Sequence, residues 1–360
     1  MQSISPNKLA KLLLATAVAA AFANTASAQS TVNVEGLVDA YVGSMRNAGD
    51  AAKTTRANSG GMSTSYFGFR GTEDLGGGLK ANFALTSFLR ADTGEFGRFT
   101  GDTLFSRDAN VGLSGNFGSV TLGRLLAPNF LPTILFNPFG DSFTFSPLVL
   151  HFNVGLFNGS GWGRSQANDT GWSNQVRYTT PNFGGLTANM HYQFGEAAGN
   201  SGKNNVGGNL LYFKGPLSLT AFYQRVEVNN PLDVPSGIVS SVAGRNASHQ
   251  KMWFVGAAYD FTVAKLFATY DETSHNVDFG DKTYSLGASV PVGTTGKVLA
   301  AWARTERSGS GFAERKRDTV SLGYDHTLSK RTDLYTVVMN DRITNLATGT
   351  SFGAGIRHRF

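Results

Sequence analysis

The chain has 360 residues, a formal net charge of +6, 44 glycines, 27 phenylalanines and no cysteine. Without cysteine no disulfide framework can hold it. Its basic balance has no basic cluster behind it, which marks a solvated surface and not a nucleic-acid partner.

The N-terminus comes first. Lys8 and Lys11 form a basic segment, Leu12 to Ala23 is apolar, and Ala26-Ser27-Ala28 has the A-x-A form of a cleavage site. This pattern predicts a signal peptide over 1–28 and a mature chain over 29–360. The apolar run is too short to cross a bilayer as a helix. Loss of the two lysines, with no acid in that stretch, takes the formal charge from +6 to +4. Glycine well above its usual share, abundant phenylalanine and export together indicate an all-β protein of a bacterial envelope.

Period-2 alternation then runs along the chain. Leu79, Ala81, Phe83 and Leu85 alternate with Lys80, Asn82, Ala84 and Thr86. The same pattern recurs at Leu186 to Phe194, Leu217 to Tyr223, Ala264 to Tyr270 and Tyr284 to Val290. Each run suits a tilted strand of about ten residues that crosses a bilayer, with aromatics near its ends. Tight connectors such as "TEDLGG" (72–77), "SGNFGS" (114–119) and "TPNFGG" (180–185) alternate with long polar ones near 45–61, 91–102, 229–250 and 342–350. The segments between them count to sixteen. A soluble sandwich would need a dry interior, yet one face of most strands carries Lys, Asn, Thr, Gln and Arg. Closing the sheet also removes its edges, which lipid cannot satisfy. The expectation is therefore a 16-stranded antiparallel transmembrane β-barrel.

Two places resist this pattern. In "FSRDANVGL" Arg107 shares parity with Ala109, Val111 and Leu113, so either facing puts an awkward residue outside. The longest connector, about 126–171, contains "LPTILFNPFGD", which is too long for a strand and too often broken for a helix. Asp141 is the single charge from Leu125 to Gly163.

Several stretches carry a resemblance. "FGFRGTEDLGGGLKA" (67–81), "VGLSGNFGSVTLGR" (111–124), "VRYTTPNFGGL" (176–186), "GYDHTLSKRTDLY" (323–335) and the terminal "GIRHRF" resemble, in order, the general trimeric porins of β-proteobacteria. The resemblance implies a homotrimer in the Gram-negative outer membrane, surrounded by lipid and lipopolysaccharide. It also implies passive diffusion of ions and small hydrophilic solutes, and a third loop folded into the barrel. "NPFGD" (137–141) resembles the tip of that loop, which makes Asp141 the acid on the loop side of the constriction and Arg107 a basic residue on the wall. Tyr66 stands where an arginine is usual, and Thr170 and Gly171 stand where a further arginine often lies, so the basic wall reads as depleted. Phe360 matches the terminal aromatic that the barrel-assembly machinery reads.

Beside these, Arg70, Lys80 and Arg177 fall on the polar face and are lumen-lining candidates. Arg107 either sets up a transverse field with Asp141 or ties the loop down by a charge-assisted bond. Ile134, Leu135, Phe136 and Phe139 are expected to glue the loop to the wall. Phe143, Phe145, Leu148, Leu150 and Phe152 could instead offer apolar contacts to solutes. The six histidines show no metal-ligand spacing, and there is no nucleophile elbow or phosphate loop, so neither an enzyme nor a cofactor is expected. The functional expectation is a general diffusion porin with weak anion preference. A channel specific for small aromatic or carboxylate solutes is the alternative.

Overall fold

A computed structural model describes residues 30–152, 170–196, 198–199, 202, 204–227, 239–242, 245–247, 249–310 and 313–360. The expected signal peptide lies outside these residues. Strands follow the alternating runs. In chain order the first are β1 (Thr31–Met45), β2 (Thr54–Ser59), β3 (Tyr66–Gly76), β4 (Leu79–Phe88), β5 (Asp108–Gly115) and β6 (Gly118–Leu126). Next come β7 (Gly171–Thr179), β8 (Leu186–Gln193), β9 (Asn205–Lys214) and β10 (Leu217–Val226). A separate two-stranded ribbon, β11 (Val239–Val242) and β12 (Arg245–Ala247), interrupts the 229–250 connector. The barrel resumes with β13 (Gln250–Asp260), β14 (Lys265–His275), β15 (Phe279–Val292) and β16 (Gly296–Gly309). It ends with β17 (Arg315–Thr327), β18 (Thr332–Ile343) and β19 (Gly349–Arg359).

Every ladder is antiparallel between neighbours, and β19 pairs back onto β1, with Leu37 opposite Arg359 and Val42 opposite Ala354. The sheet is therefore closed and has no edge. Its 17 strands make sixteen staves, because β2 and β3 share one: β3 pairs with Thr31 to Leu37 of β1, and β2 with Ala40 to Met45. The sequence pattern predicts a loop over 45–61. The polar run 54–59 offers no apolar face to signal a strand, yet β1 supplies a free ladder for it.

Alternation sorts the two faces. Val32, Val34, Val38 and Val42 of β1 are exposed, while Leu37, Asp39 and Tyr41 are buried. The same holds around the wall, from Trp253, Val255 and Tyr259 on β13 to Phe352 and Ile356 on β19. An exposed apolar belt backed by a polar or packed inner face is the arrangement lipid requires. Short turns join the strands at one end. In the β3–β4 turn Gly76, Gly77 and Gly78 have φ of 84°, 60° and 81°, a left-handed path that only glycine follows cheaply.

The connection between β6 and β7 does not stay outside. It carries two helices that the sequence reading did not expect, α1 (Phe130–Leu135) and α2 (Pro147–Phe152). Proline is tolerated in both because it sits in the first turn, where its missing N–H has no intrahelical partner to lose. Phe139, Phe145 and Leu150 pack with Tyr41, Met45, Leu299, Tyr335, Val337 and Met339. Leu148 packs with Phe222, Met252 and Phe254, and Phe136 with Leu211, Ala258 and Phe267. All these partners belong to the inner face. Small inner-face positions make the room. A Cβ on Gly287 would lie 2.5 Å from Pro138 Cδ, one on Gly323 3.0 Å from Phe139 Cε1, and one on Gly353 2.6 Å from Phe145 Cζ. Glycines on alternate strands thus form seats for the loop's rings.

Candidate functional site

The site begins with Asp39 on β1. Its carboxylate accepts the backbone N–H groups of Gly61 (3.0 Å), Met62 (2.8 Å) and Ser63 (2.8 Å) and the hydroxyl of Tyr335 (2.5 Å). These bonds fix the crossing between β2 and β3, and the loop docks on that crossing. Ser142 Oγ donates to Gly61 O (2.6 Å), Thr144 Oγ1 donates to Gly60 O (2.8 Å), and Ser63 Oγ donates to Asp141 Oδ1 (2.8 Å). Further along, Ser321 Oγ donates to Phe145 O (2.6 Å), and both ring nitrogens of His151 lie 2.8 Å from threonine hydroxyls, Thr305 and Thr319. A buried polar group needs such partners, and here they fix the loop to the β2–β3 connection and to β16 and β17. Burial holds the His151 imidazole well below its ordinary 6.5, the Arg317 charge adds to that, and Asp341 opposes it.

A cluster of arginines forms on alternate staves, β3, β5 and β7. Arg70 of β3 donates from Nε to Glu35 Oε1 (2.5 Å) and from Nη2 to Asp108 Oδ2 (2.7 Å). Arg107 Nη1 donates to the same Asp108 oxygen (2.9 Å) and lies 3.9 Å from Glu35. The guanidinium of Arg107 covers the Tyr66 ring, 3.8 Å from its centroid, a cation–π contact. Arg177 of β7 lies within electrostatic range of Asp108 and Arg70. Its Nε is buried with no hydrogen-bond partner, and no carboxylate among the described residues pairs with it. Three guanidiniums thus face two carboxylates on one stretch of the inner wall, leaving one positive charge over.

The awkward parity of Arg107 has a simple cause. The ladder of β5 starts at Asp108, so Arg107 precedes the strand and is free of its alternation. Its N–H still donates to Thr86 O (3.3 Å), and its side chain turns inward, only 20% exposed. Asp141 does not meet it in a contact pair. Among the described residues no bond ties Arg107 to the loop, the second of its two readings: Ser63 holds Asp141, and Arg357 Nη1 donates to the Ser63 hydroxyl (2.8 Å). Burial pushes the Asp141 carboxyl up from its ordinary 3.8, against the Ser63 bond and the charges of Arg357 and Arg107. Arg107 acts on Asp141 through space and not by contact.

The other sequence candidates divide. Arg70 and Arg177 join Arg107, and Tyr66 is the platform beneath it. Lys80 also lies on the inner face but pairs in register with Asp74 beside the β3–β4 turn, away from the cluster. Phe136, Phe139, Phe145, Leu148 and Leu150 are all packed, whereas Leu135 is 41% exposed and glues nothing. Phe360 lies at the seam of the barrel. It exchanges backbone hydrogen bonds with Gly36, and its ring fills the space a Gly36 side chain would need. Glu35, Asp39, Asp108 and Ser63 complete the site but carry no signal in the sequence pattern. An acid in an alternating strand gives no sign of its neighbour across the wall.

A closed sixteen-stave barrel with an apolar outer belt, a polar lumen and a loop docked inside is now in view. A description of the Gram-negative porin family matches residues 15–346. The chain belongs to the Gram-negative porin family. Over 339 residues this porin is 37% identical to outer membrane porin protein 32 of Delftia acidovorans, covering 90% of this chain and 87% of that one. The solved anion-selective porin from Comamonas acidovorans matches it with a TM-score of 0.76 and 30% identity, over 92% of this chain and 100% of that one. A trimer form of OmpT from Vibrio cholerae shares the fold, with a TM-score of 0.65 at 15% identity over 92% and 99% of the two chains. The porin is an integral protein of the outer membrane and a diffusion channel, not an enzyme.

Proposed function

We propose that the porin's filter is the gap between the Arg70–Arg107–Arg177 wall and the loop tip at Asp141, and that it prefers anions weakly to moderately. The observation carrying this is Arg177: a guanidinium on the lumen face that no carboxylate among the described residues contacts, with a buried Nε lacking any hydrogen-bond partner and Asp108 acting on it only through space. In a water-filled constriction with low-dielectric walls, one uncompensated positive charge raises the local anion concentration. Asp108 and Glu35 hold the preference down by engaging Arg70 and Arg107. Asp141 on the far side lowers it further. A relative at 30% identity bears the description anion-selective, which supports the same direction. Ions and small hydrophilic solutes are the cargo, and no cofactor takes part in this account.

The porin acts as a homotrimer in this proposal, as the trimer form of OmpT does, within outer-membrane lipid and lipopolysaccharide. Residues 1–28 act as a cleaved signal for export, and Phe360 as the contact for the barrel-assembly machinery. The test of the filter is Arg107→Glu, which reverses one wall charge. Its zero-current potential in a salt gradient should move toward cations. An unmoved potential would place Arg107 outside the filter.

A further inference from the structure

A cavity of about 300 Å³ opens at the long-loop end of the barrel, apart from the arginine wall. It lies between β1, β2, the connection after β4 and the docked loop. Four arginines line it: Arg56, Arg90, Arg98 and Arg317. Two of them are spoken for. Arg98 is paired with Asp102 (2.9 Å, both buried), and Arg317 is clamped by both oxygens of Asp341 (2.9 and 3.1 Å). Arg90 uses Nη1 on Glu95 (2.7 Å), but its Nε is buried and has no hydrogen-bond partner. Arg56 stands opposite Gly43 on the inner face of β2, near the Tyr41 hydroxyl, with no carboxylate paired to it among the described residues. A buried N–H without an acceptor costs free energy that a ligand oxygen would recover. Phe143 and Leu89 line the same cavity. Phe143 is only partly buried against the packed cluster.

We propose that this cavity is a binding subsite for small carboxylates that carry an aromatic or compact apolar body. The carboxylate sits between Arg56 and the Nε of Arg90, where guanidinium donors suit its planar geometry. The body lies against Phe143 and Leu89. The volume is at the lower end of small-molecule sites, which suits a single ring and excludes large solutes. The subsite collects such anions at the mouth before they reach the filter, so it deepens the proposed anion preference and rests on that reading only for its current readout.

The probe is benzoate, titrated onto the full-length channel in planar bilayers at fixed KCl, with acetate and benzyl alcohol beside it. Benzoate should reduce the single-channel current saturably. Acetate lacks the body and benzyl alcohol lacks the charge, so each should need at least about tenfold more. Arg56→Ser removes one charge-assisted contact and should raise the half-blocking benzoate concentration about tenfold. Arg56→Lys should restore part of the affinity, and Phe143→Ser should bring benzoate down to the level of acetate. Equal block by benzoate and acetate, or a benzoate block indifferent to Arg56→Ser, would overturn the subsite. The Arg107→Glu potential is independent of these titrations, so failure of the subsite and failure of the filter are told apart.

Discussion

Gly353→Ala adds one methyl to the inner face of β19 and changes nothing else on the strand. Gly353 has an ordinary extended backbone, so alanine there strengthens the strand slightly. The added Cβ would lie 2.6 Å from Phe145 Cζ and 3.2 Å from Tyr41 Cδ2. The ring must give way, and over-packing of this kind costs about 1–3 kcal/mol. Phe145 is fully buried and edge-on to Tyr41, 5.7 Å between centroids. Phe145→Ala leaves a cavity and costs about 3–5 kcal/mol. In the double variant the methyl enters vacated space, so the two costs should not add. The expected coupling is about 1.4 kcal/mol, or tenfold in the docked-to-undocked ratio. The assay is chymotryptic cleavage within 127–152 in detergent, with heat-modified gel mobility as the control for an intact barrel. Each single variant should be cleaved faster at unchanged mobility, and the double more slowly than the product of the singles. Strict additivity would show that ring and glycine do not meet, and the inward docking of the loop would fall with them.

Other outcomes follow from the same contacts. The folded His151 is held well below 6.5, so the unfolded chain takes the proton first. Stability should be full above pH 6.5 and decline below it, by up to about 1.4 kcal/mol per pH unit. Thermal midpoints between pH 7.5 and 5 should show this limb in the wild type, and His151→Asn should make it shallower. The Asp141 carboxyl is raised, so its contribution to stability is present below the ordinary 3.8 and is lost as pH rises through the raised value. Asp141→Asn, which still accepts from Ser63, should therefore hold or raise the midpoint at pH 7. The same substitution should move the zero-current potential further toward anions and remove any shift of wild-type selectivity as Asp141 titrates. Phe360→Ala empties the space over Gly36 at the seam. It should lower the yield of membrane-inserted protein while the channels that form keep wild-type conductance.

The barrel was legible because lipid and lumen impose opposite demands on alternate residues. Runs such as Leu79 to Thr86 and Leu217 to Tyr223 show that demand directly. The breaks were legible only as breaks. Arg107 violated parity because the ladder starts one residue later, which alternation cannot reveal. Arg70 and Arg177 could be placed on the polar face one at a time. Their meeting at Asp108 depends on β3, β5 and β7 standing close together on the wall. The oily loop signalled burial through Phe136, Phe139 and Phe145, but its seats include glycines on β15, β17 and β19. A glycine in a strand does not say which ring will fill it. The two helices were hidden by Pro132 and Pro147, each in a first turn where a proline does no harm.

The central claim is that the uncompensated arginine on the lumen wall makes the channel prefer anions. The most direct measurement is the zero-current potential of the wild-type porin across a tenfold KCl gradient, set against Arg177→Gln. The wild type should take the sign of chloride permeation, and the variant should move toward zero because the spare charge is gone. A wild-type potential of cation sign, or one that Arg177→Gln leaves unchanged, would contradict the account.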